Sequence, residues 1–270
     1  MISFIIVTYN SDETIVDCIN AIVCSSQGID FEIIVVDNDS HTGDILSTLN
    51  LDCLKLFLLK DNIGFAAANN IGFDNSKYDK IVFVNPDCIL NCSFVNKIKE
   101  SELNNKLITS NLVTKDGHAQ KSIHAVPTIL NLTKKKLGFV YQFWFQGALV
   151  AGSRESLENI GCWSEDYFMY AEDLDICYKA IIKGYKLEVM QCDVIHIGGT
   201  STSTVWSHSE RQKKIEKANV VFFRKFHILK NYILIKLFQA MFGLFTANFN
   251  MVKNSYYSLR DIRKKAGNKK

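Results

Sequence analysis

The chain has 270 residues, of which 47% are hydrophobic and only two are proline. This composition excludes a largely disordered chain and suits a packed globule, either one domain or one domain with an extension. Residues 211–270 hold 15 Lys and Arg against 2 acids, a charge of +13, whereas residues 1–210, with 16 basic and 26 acidic side chains, carry −10. This asymmetry predicts a basic segment that meets an anionic surface, either nucleic acid or anionic lipid.

The first ninety residues predict strands that alternate with helices. The runs "ISFIIVTYN", "FEIIVVDNDS", "LKLFLLK" and "KIVFVNPDCIL" are short and apolar, as in strands buried on both faces, and Pro86 breaks the last one. Between them, "SDETIVDCINAIVCSS" predicts a helix capped by Ser11 or Asp12, and "DILSTLN" and "GFAAANNIGFDNS" predict two more. The pattern predicts an α/β fold with a mostly parallel sheet that helices cover on both faces.

Beyond residue 90 the alternation is less regular. The stretch "ITSNLVTKDGH" predicts a strand and turn, and residues 117–140, which include Lys134, predict an exposed loop. The stretch "FWFQGALVAGSRESLENIG" predicts a strand, a tight turn and a helix capped near Ser153. A strand in "YKLEVMQCDVIHIGGTSTS" should lead into a Gly-Thr-Ser loop, and from Glu210 onward the pattern is helical.

Three features of the sequence limit the compartment and the chemistry. The start "MISFIIVTYN" lacks a basic n-region and a cleavage site, so we expect a first strand and not a signal peptide. The eight cysteines form no CxxC pair, so we expect reduced thiols in a cytosolic protein. Neither GxGxxG nor GxxxxGK[ST] occurs, which excludes the usual phosphate-binding loops of dinucleotide enzymes and P-loop NTPases.

Polar residues follow four predicted strands, at the edge of the sheet where α/β proteins bind ligands. The four groups are Thr8-Tyr9-Asn10, Asp37-Asn38-Asp39, Asn62 and Asn85-Pro86-Asp87. Together they predict a pocket. Phosphate in this pocket would need a neutralising charge other than a glycine-rich loop, and Mg²⁺ or Mn²⁺ held by the Asp87 carboxylate is the obvious source. Asn-Pro-Asp is also good turn chemistry, so a purely structural role for Asp87 stays open.

The stretch "YFMYAEDLDICYKA" places Glu172, Asp173 and Asp175 within four positions among apolar neighbours. One interpretation is structural, because acids in the first turn of a helix are stabilised by its dipole by about 0.3–1 kcal/mol each. The other interpretation is that the stretch supplies a catalytic carboxylate.

Six segments occur in an order that supports a named comparison: "FIIVTYN", "IIVVDNDS", "DNIGFAAANNIG", "FVNPDCIL", "YFMYAEDLDICYKAIIKGYK" and "VIHIGGTST". Together they closely resemble family 2 glycosyltransferases of the GT-A fold, particularly the rhamnosyltransferase-like branch of bacterial surface-polysaccharide synthesis. The resemblance covers roughly residues 2–205. It implies a Rossmann-like GT-A domain in residues 1–209, with a nucleotide-binding half, 1–90, and an acceptor and catalytic half, 91–209. Residues 210–270 would then form a basic amphipathic helical extension.

The resemblance implies a role for individual residues in donor binding. Thr8, Asn10 and Asp37 match positions that hold the base and ribose, and the segment 62–70 matches positions that shape the nucleotide-sugar pocket. The full set of expected nucleotide-sugar-binding residues is Thr8, Tyr9, Asn10, Asp37, Asn38, Asn62, Gly64, Phe65, Asn70 and Asn85.

The resemblance also implies a metal site. Asp87 matches the last acid of the family's DxD motif, and Asn85 stands where the fullest version of that motif has Asp, which removes one charge. His196 matches a histidine that completes the site in related enzymes, although a structural role for a lone His at a strand end stays open. The expected cofactor is Mn²⁺ or Mg²⁺.

For catalysis, the resemblance implies that Asp173 is the general base. Glu172 would orient the acceptor, and Asp175 is expected to point back into the protein. Gln146 and Gly147 match an acceptor-side segment near the pocket. Trp163 has two interpretations, as a ring that stacks on a sugar or as part of the core.

The resulting expectation is an inverting, metal-dependent glycosyltransferase. It would use dTDP-rhamnose or a UDP-sugar and a lipid-linked oligosaccharide acceptor, in the synthesis of O-antigen, capsule or another surface polysaccharide. The alternative is a non-catalytic subunit that binds nucleotide-sugar or glycan. A nucleotidyltransferase is disfavoured because "VTYNSDETI" is neither glycine-rich nor basic. Nucleic acid is not an expected partner, since no nucleic-acid module occurs, and an oligomer is compatible with the sequence.

Between residues 226 and 250 one polar stripe runs along an otherwise apolar helical pattern. Its members are Lys236, Gln239, Gly243, Thr246 and Asn250. The stripe fits a helix packed on the catalytic domain. Because basic residues flank the pattern, it equally fits a helix that lies in the plane of a membrane. We therefore expect a cytoplasmic protein, peripheral on the inner face of the cytoplasmic membrane, where a lipid-linked acceptor would lie.

Overall fold

A computed structural model of the chain describes residues 1–40, 42–127, 142–198, 206–246 and 248–267. The chain forms two compact units, Met1–His124 with Phe143–His208, and Ala125–Gln142 with Ser209–Lys270. The second unit therefore starts one residue before the boundary predicted from sequence, and it also includes a segment, 125–142, that the prediction placed in the first domain. The loop predicted around Lys134 and the Gly-Thr-Ser loop after residue 198 lie outside the described residues.

The strands are numbered in the order in which they occur in the chain. They are β1 Ile2–Thr8, β2 Phe31–Asp37, β3 Leu54–Leu58, β4 Lys80–Val84, β5 Cys88–Ile89, β6 Lys106–Val113, β7 Ile123–Ala125, β8 Phe143–Phe145, β9 Leu149–Ser153 and β10 Lys186–His196. The helices of the first unit are α1 Ile15–Ser25, α2 Thr42–Leu46, α3 Phe65–Asp74, α4 Cys92–Glu100, α5 Arg154–Ile160 and α6 Glu172–Ile182.

Eight of the strands form one sheet in the order β3-β2-β1-β4-β9-β6-β10-β5, and β7 pairs with β8 separately. The pairs of β1 with β2 and β4, of β2 with β3, and of β6 with β10 are parallel. The strand β9 is antiparallel to both β4 and β6, and the short β5 is antiparallel to β10. The predicted α/β fold with a mostly parallel sheet is therefore confirmed.

Helices cover both faces of this sheet, as the unbroken apolar runs of its strands predict. On β1, Phe4 and Ile6 join a core cluster with residues of α1 and α4. Their neighbours Ile5 and Val7 point to the opposite face and join a second cluster with residues of α3, α5 and α6. Each fully buried side chain of this size stabilises the fold by roughly 1.5–3 kcal/mol.

Two predicted helix caps have different outcomes. Ser153 is the N-cap of α5, as predicted, and its hydroxyl accepts from the N–H of Ser156 at 3.1 Å. The prediction of Ser11 or Asp12 as the cap of α1 is wrong, because the N-cap is Thr14. Both residues interact instead with Thr42, whose hydroxyl accepts from the Ser11 N–H and donates to Asp12 Oδ1.

The described part of the second unit contains three helices, α7 His208–Lys225, α8 Leu229–Phe245 and α9 Phe249–Gly267. The helical pattern predicted from Glu210 is confirmed, but it is interrupted between α7 and α8. His227 has a φ of 57° there, in the left-handed region that ends a right-handed helix. Among the described helices, none combines the length and the apolar composition that a membrane-spanning helix needs.

Candidate active site

The carboxyl ends of β1 and β2 place Thr8 and Asp37 side by side, since the two residues are register partners. Both are buried, and the Thr8 hydroxyl has no hydrogen-bond partner among the described residues. Asp37 accepts from the Ser40 hydroxyl at 2.5 Å and from the Ser40 N–H at 3.2 Å. Burial raises the pKa of Asp37, although the bonds from Ser40 oppose that shift. Beyond β1, Tyr9 is half-buried and Asn10 is exposed with a φ of 51°.

Asn38 and Asn62, predicted as donor-binding residues, bond mainly to each other and to the loop between them. The Asn38 amide donates to Asn62 Oδ1 at 3.0 Å, and its own Oδ1 accepts from the Ile63 N–H at 2.9 Å. Asn62 Oδ1 also accepts from the Gly64 N–H at 3.1 Å. These bonds fix the loop that leads into α3, so the two amides hold that loop in place.

Gly64 brings that loop against the segment that precedes α6. Its φ is 88°, and a Cβ added there would lie 2.4 Å from the Phe168 carbonyl oxygen. The next residue, Phe65, donates its N–H to the same oxygen at 3.1 Å. Only glycine combines this backbone angle with this close approach, so Gly64 joins the predicted donor half to the predicted catalytic half.

Side chains that could bind a metal ion cluster around β5, which follows β4 and pairs with the end of β10. Asp87 is buried, and its Oδ1 lies 3.4 Å from Nε2 of His196, while its Oδ2 accepts from the Gly198 N–H at 3.1 Å. Burial by itself would raise the pKa of Asp87, but the hydrogen bond and charge of His196 outweigh it, and the pKa is lowered. The structure thus joins two predicted metal ligands that are 109 positions apart in the chain.

Gln120 fixes the orientation of the His196 ring. Its amide nitrogen donates to the His196 carbonyl oxygen at 2.5 Å, so its Oε1 is the acceptor that faces Nδ1 of the ring at 2.8 Å. Nδ1 therefore carries a hydrogen in either form of the ring. The protonated ring donates from Nε2 to Asp87, and this form lowers the pKa of Asp87; the neutral ring instead turns an Nε2 lone pair toward Asp87. Nothing in the sequence predicts this role for Gln120, because a lone Gln in an irregular segment carries no motif or periodicity.

The Asp87 and His196 donors fit a divalent cation. Two electron-pair donors 3.4 Å apart are satisfied when one cation lies about 2.1 Å from each. Cys88 belongs to the same cluster but fits poorly as a ligand. Its thiol donates to the Ala148 carbonyl oxygen at 3.4 Å, and burial raises its pKa well above the ordinary value. Asn85 stands at the position where the fullest version of the DxD motif has a second acid. Its Oδ1 is buried and has no hydrogen-bond partner among the residues that the structure describes.

A strained turn sets the position of the acidic cluster. Tyr170 and Ala171 have φ values of 71° and 67°, a left-handed conformation that costs non-glycine residues energy and clusters at functional sites. The helix α6 begins directly afterwards, with three acids in its first turn. The structural interpretation of the acids is thus confirmed, since all three lie in the first turn, and the catalytic interpretation stays a prediction.

Asp173 is partly buried and held by backbone donors. Its Oδ1 accepts from the Leu174 N–H at 2.8 Å, and its Oδ2 accepts from the Gly147 N–H at 3.3 Å. Burial raises the pKa of Asp173 to about 6, although both N–H donors oppose that shift. A carboxylate has about four lone-pair sites, so each oxygen keeps one for another donor. This is the arrangement of an oriented, ionisable base.

The two neighbouring acids differ from Asp173. Glu172 is buried, and within the part of the chain that the structure describes its Oε2 has no hydrogen-bond partner. Burial and the charge of Asp173 raise the pKa of Glu172 well above the ordinary value. Asp175 points back into the protein, as predicted. It accepts from the Tyr167 hydroxyl at 3.0 Å and forms an ion pair with Lys179 at 3.3 Å.

The acceptor-side residues have mixed outcomes. Gly147 contacts Asp173 directly, and the neighbouring Gln146 is half-buried. The interpretation of Trp163 as a sugar-stacking ring is wrong and the core interpretation is right. The ring is only 2% exposed and packs edge-on against Phe65 and Phe83, at centroid distances of 5.4 and 5.3 Å.

Asn70, predicted to shape the donor pocket, is engaged with the segment around Trp163. Its amide nitrogen donates to the Trp163 carbonyl oxygen at 3.0 Å and to Glu165 Oε1 at 2.9 Å, while its Oδ1 accepts from the Trp163 N–H at 3.2 Å. The side chain therefore ties α3 to the turn before α6.

Comparison with protein families and curated proteins gives consistent matches. The family described as glycosyl transferase family 2 matches residues 3–138. The low-salt glycan biosynthesis hexosyltransferase Agl10 of Haloferax volcanii is 23% identical over 211 residues, 72% of this chain and 65% of that protein. An uncharacterized glycosyltransferase of Haemophilus influenzae is 28% identical over 240 residues, 82% of this chain and 91% of that protein.

Solved structures share the fold. The mannosyltransferase PcManGT from Pyrobaculum calidifontis, in complex with GDP-Man and Mn²⁺, has a TM-score of 0.59 at 18% identity and covers 97% of this chain and 75% of its own. TarS 1-349 of S. aureus, in complex with UDP-GlcNAc, has a TM-score of 0.57 at 18% identity and covers 82% and 66%. The fold is thus GT-A, as the motifs indicated. The chain spans only about two thirds of the length of Agl10 and of TarS 1-349.

Proposed function

The chain belongs to glycosyl transferase family 2, and from this membership we propose that it transfers a sugar from a nucleotide-sugar donor to an acceptor hydroxyl, with inversion at the anomeric carbon. The observation that carries the proposal is the placement of Asp173. Its carboxylate is fixed by two backbone N–H groups at the start of α6, in the same unit as the Asp87–His196 cluster.

Asp173 is suited to act as the base. The acceptor hydroxyl must lose its proton as its oxygen attacks the anomeric carbon, and a carboxylate within hydrogen-bond reach accepts that proton. A pKa of about 6 keeps the group ionised at neutral pH while it remains a better proton acceptor than an ordinary Asp. The bonds from Gly147 and Leu174 fix the direction of both oxygens.

Inversion needs one displacement and no covalent intermediate on the protein. Glu172, the nearest second carboxyl in the chain, is buried, and its raised pKa favours the neutral acid, which is a poor nucleophile. This difference between the two neighbouring acids supports a single-base mechanism. Glu172 would contribute a hydrogen-bonding group that orients the acceptor.

Asp87 and His196 would hold the divalent cation, with Gln120 orienting the histidine. A bound divalent cation supplies positive charge that stabilises the diphosphate leaving group. The Mn²⁺ in the complex of PcManGT supports this assignment by analogy of fold. Asn85 leaves the site with one protein carboxylate, so most of the coordination sphere would come from water and phosphate oxygens.

The finer proposal names the substrates and the place of the reaction. We expect dTDP-rhamnose or a UDP-sugar as donor and a lipid-linked oligosaccharide as acceptor, in surface-polysaccharide synthesis on the cytoplasmic face of the membrane. The order of the sequence motifs supports the rhamnosyltransferase-like branch. The name of Agl10 as a glycan-biosynthesis hexosyltransferase supports glycan assembly, and the +13 charge of residues 211–270 supports an anionic membrane.

Donor hydrolysis tests this function without knowledge of the acceptor. Nucleotide release from UDP- and dTDP-sugars would be followed with Mn²⁺, with Mg²⁺ and with chelator. We expect slow, cation-dependent release from one donor class, which is abolished in Asp173→Asn and in Asp87→Ala. Tight donor binding with no release, in the presence of either cation and of mixed oligosaccharide acceptors, would favour the non-catalytic binding subunit.

A further inference from the structure

The helices α8 and α9 bury several polar and small side chains beside Ile235 and Ile262, while α8 exposes a row of large apolar ones. On α8 the buried positions include Tyr232, Lys236 and Gly243, with Lys236 only 8% exposed. On α9 they include Ser255 and Ser258, exposed by 1% and 2%. A helix on the surface of a soluble protein normally shows the opposite arrangement. Of the polar stripe found in the sequence, Lys236 and Gly243 therefore face inward, Gln239 is half-buried and Thr246 is exposed.

The inward polar groups satisfy one another. Glu216 of α7 accepts from Lys236 Nζ at 2.7 Å and from the Ser258 hydroxyl at 2.8 Å, and the Tyr232 hydroxyl donates to the same carboxylate. Gly243 allows a close approach of α9, because a Cβ there would lie 3.0 Å from a Val252 methyl carbon. The network joins α7, α8 and α9 through the ion pair of Lys236 with the half-buried Glu216, and it draws on residues that face inward.

The outward face of α8 is a broad apolar surface. At 100° per residue its members fall within an arc of about 160°. They are Leu234, Leu237, Met241, Phe242, Leu244 and Phe245, each 45–91% exposed. Exposed apolar surfaces of this kind mark sites that bind a protein or a membrane.

Charge selects a membrane as the occupant. The exposed residues of α9 include Lys253 and Arg260, about one and three turns from Phe249 on the same face, with Tyr256 between them. Aromatic side chains beside basic ones suit the boundary between lipid headgroups and acyl chains. A second copy of the chain would bring another segment of +13 to the same place, and like charges would oppose that contact.

We propose that the outward faces of α8 and α9, called the docking face below, bind the surface of an anionic lipid bilayer, with α8 lying in the plane of the membrane. The 17 residues of α8 extend about 25 Å, which is less than the hydrocarbon thickness of about 30 Å. The presence of a lipid-linked acceptor at that surface rests on the proposed function. The docking itself does not, since it is measured without catalysis.

Vesicle flotation with the full chain tests the docking face. Vesicles of phosphatidylcholine with 30% phosphatidylglycerol would be compared with vesicles of phosphatidylcholine alone. We expect the wild type to float with the anionic vesicles, and the double variant Met241→Asp/Phe245→Asp to bind them at least tenfold more weakly. The matched control is Ile182→Asp, which changes another large apolar side chain that is more than half exposed, 56%, in the other unit. It should float like the wild type.

A second variant removes the risk that charged substitutions disturb folding. Phe245→Trp keeps an aromatic side chain, and its fluorescence should be quenched by brominated acyl chains in anionic vesicles. Failure of the wild type to float, flotation of the Asp double variant equal to wild type, or absence of quenching in Phe245→Trp would each overturn the proposal.

Donor hydrolysis, measured in solution on the same samples, separates the two proposals. Vesicle binding without nucleotide release would leave the docking face standing and reject the proposed activity. Nucleotide release without vesicle binding would support the proposed activity and reject the docking face. In Met241→Asp/Phe245→Asp we expect hydrolysis in solution to match wild type, because both substitutions lie in the second unit and outside the proposed active site.

Discussion

The substitution Asp173→Asn removes the proposed base and keeps a side chain of nearly the same size at the start of α6. With a pKa of about 6, the wild-type carboxylate is about 97% ionised at pH 7.5 and about 10% ionised at pH 5. The wild-type kcat/KM should therefore fall about tenfold between these pH values, along one acidic limb. Loss of a general base lowers the rate by about 10²–10⁴-fold, so we expect a loss in this range for Asp173→Asn at pH 7.5.

The assay is nucleotide release with a fixed donor and acceptor, measured from pH 4.5 to 8.5. In Asp173→Asn the residual rate should no longer show the acidic limb near pH 6, since the titrating group is gone. A rate within threefold of wild type, or a limb that persists unchanged, would contradict the assignment of Asp173 as base.

Folding of this variant can be checked by thermal melting. The folded-state pKa of Asp173 lies above its ordinary value, so ionisation of this group lowers stability as the pH rises from about 4 to about 6. The loss is complete above pH 6. At pH 7.5 Asp173→Asn lacks this ionisation, and we expect it to melt no lower than wild type.

Glu172→Gln provides the contrast. Since burial and the charge of Asp173 raise the pKa of Glu172, Gln is close in shape and charge to the neutral acid. We expect a rate reduction of less than about tenfold, with the acidic limb near pH 6 still in place. An effect as large as that of Asp173→Asn would mean that the two acids act as one unit.

Three further substitutions test the supports of the site. Gln120→Leu should weaken Mn²⁺ binding by about 10–100-fold in calorimetry, because the His196 ring loses its orienting partner; unchanged affinity would reject this role. Gly64→Ala should lower the free energy of unfolding in urea by about 1–3 kcal/mol, because the φ of 88° and the Phe168 carbonyl leave no room for a methyl group. A loss under about 0.5 kcal/mol would argue against the close approach of the two segments. Asp175→Ala should lower the free energy of unfolding in urea by about 3–5 kcal/mol, since it leaves the mostly buried Lys179 without its ion pair. A urea midpoint equal to that of the wild type would show that the ion pair contributes nothing to stability.

Much of the fold was predictable because buried strands and their polar ends carry strong local signals. The apolar run of β1 and the break at Pro86 both predicted the observed elements. Ser153 has the sequence context of a cap and is one. The helix α1 shows where this reasoning stops, since Ser11 and Asp12 are good caps that bind Thr42 instead. A residue 30 positions away decided the outcome, and no local pattern contains that contact.

The candidate site divides in the same way. Resemblance to the family selected Asp87 and His196, and the structure brings them to 3.4 Å. The residue that orients the histidine, Gln120, lies in an irregular segment and has no sequence signal. Trp163 was ambiguous because an aromatic residue beside a pocket and one in the core look alike in sequence. Only its packing against two other rings decides between them.

The C-terminal helices show a third kind of limit. The polar stripe of α8 was visible in the sequence, but periodicity does not tell which face of a helix is inward. The structure supplies the answer for the first part of the stripe, where Lys236 faces inward and binds the carboxylate of Glu216. The apolar side chains on the other side of α8 are exposed.

The central claim is that this chain binds a nucleoside diphosphate through a cation held by Asp87. Calorimetric titration of UDP and dTDP, each with and without Mn²⁺ or Mg²⁺, tests it most directly. We expect one nucleotide to bind at least tenfold more tightly with the cation, and we expect this gain to vanish in Asp87→Ala. Equal binding with and without cation, or a gain that survives in Asp87→Ala, would contradict the claim.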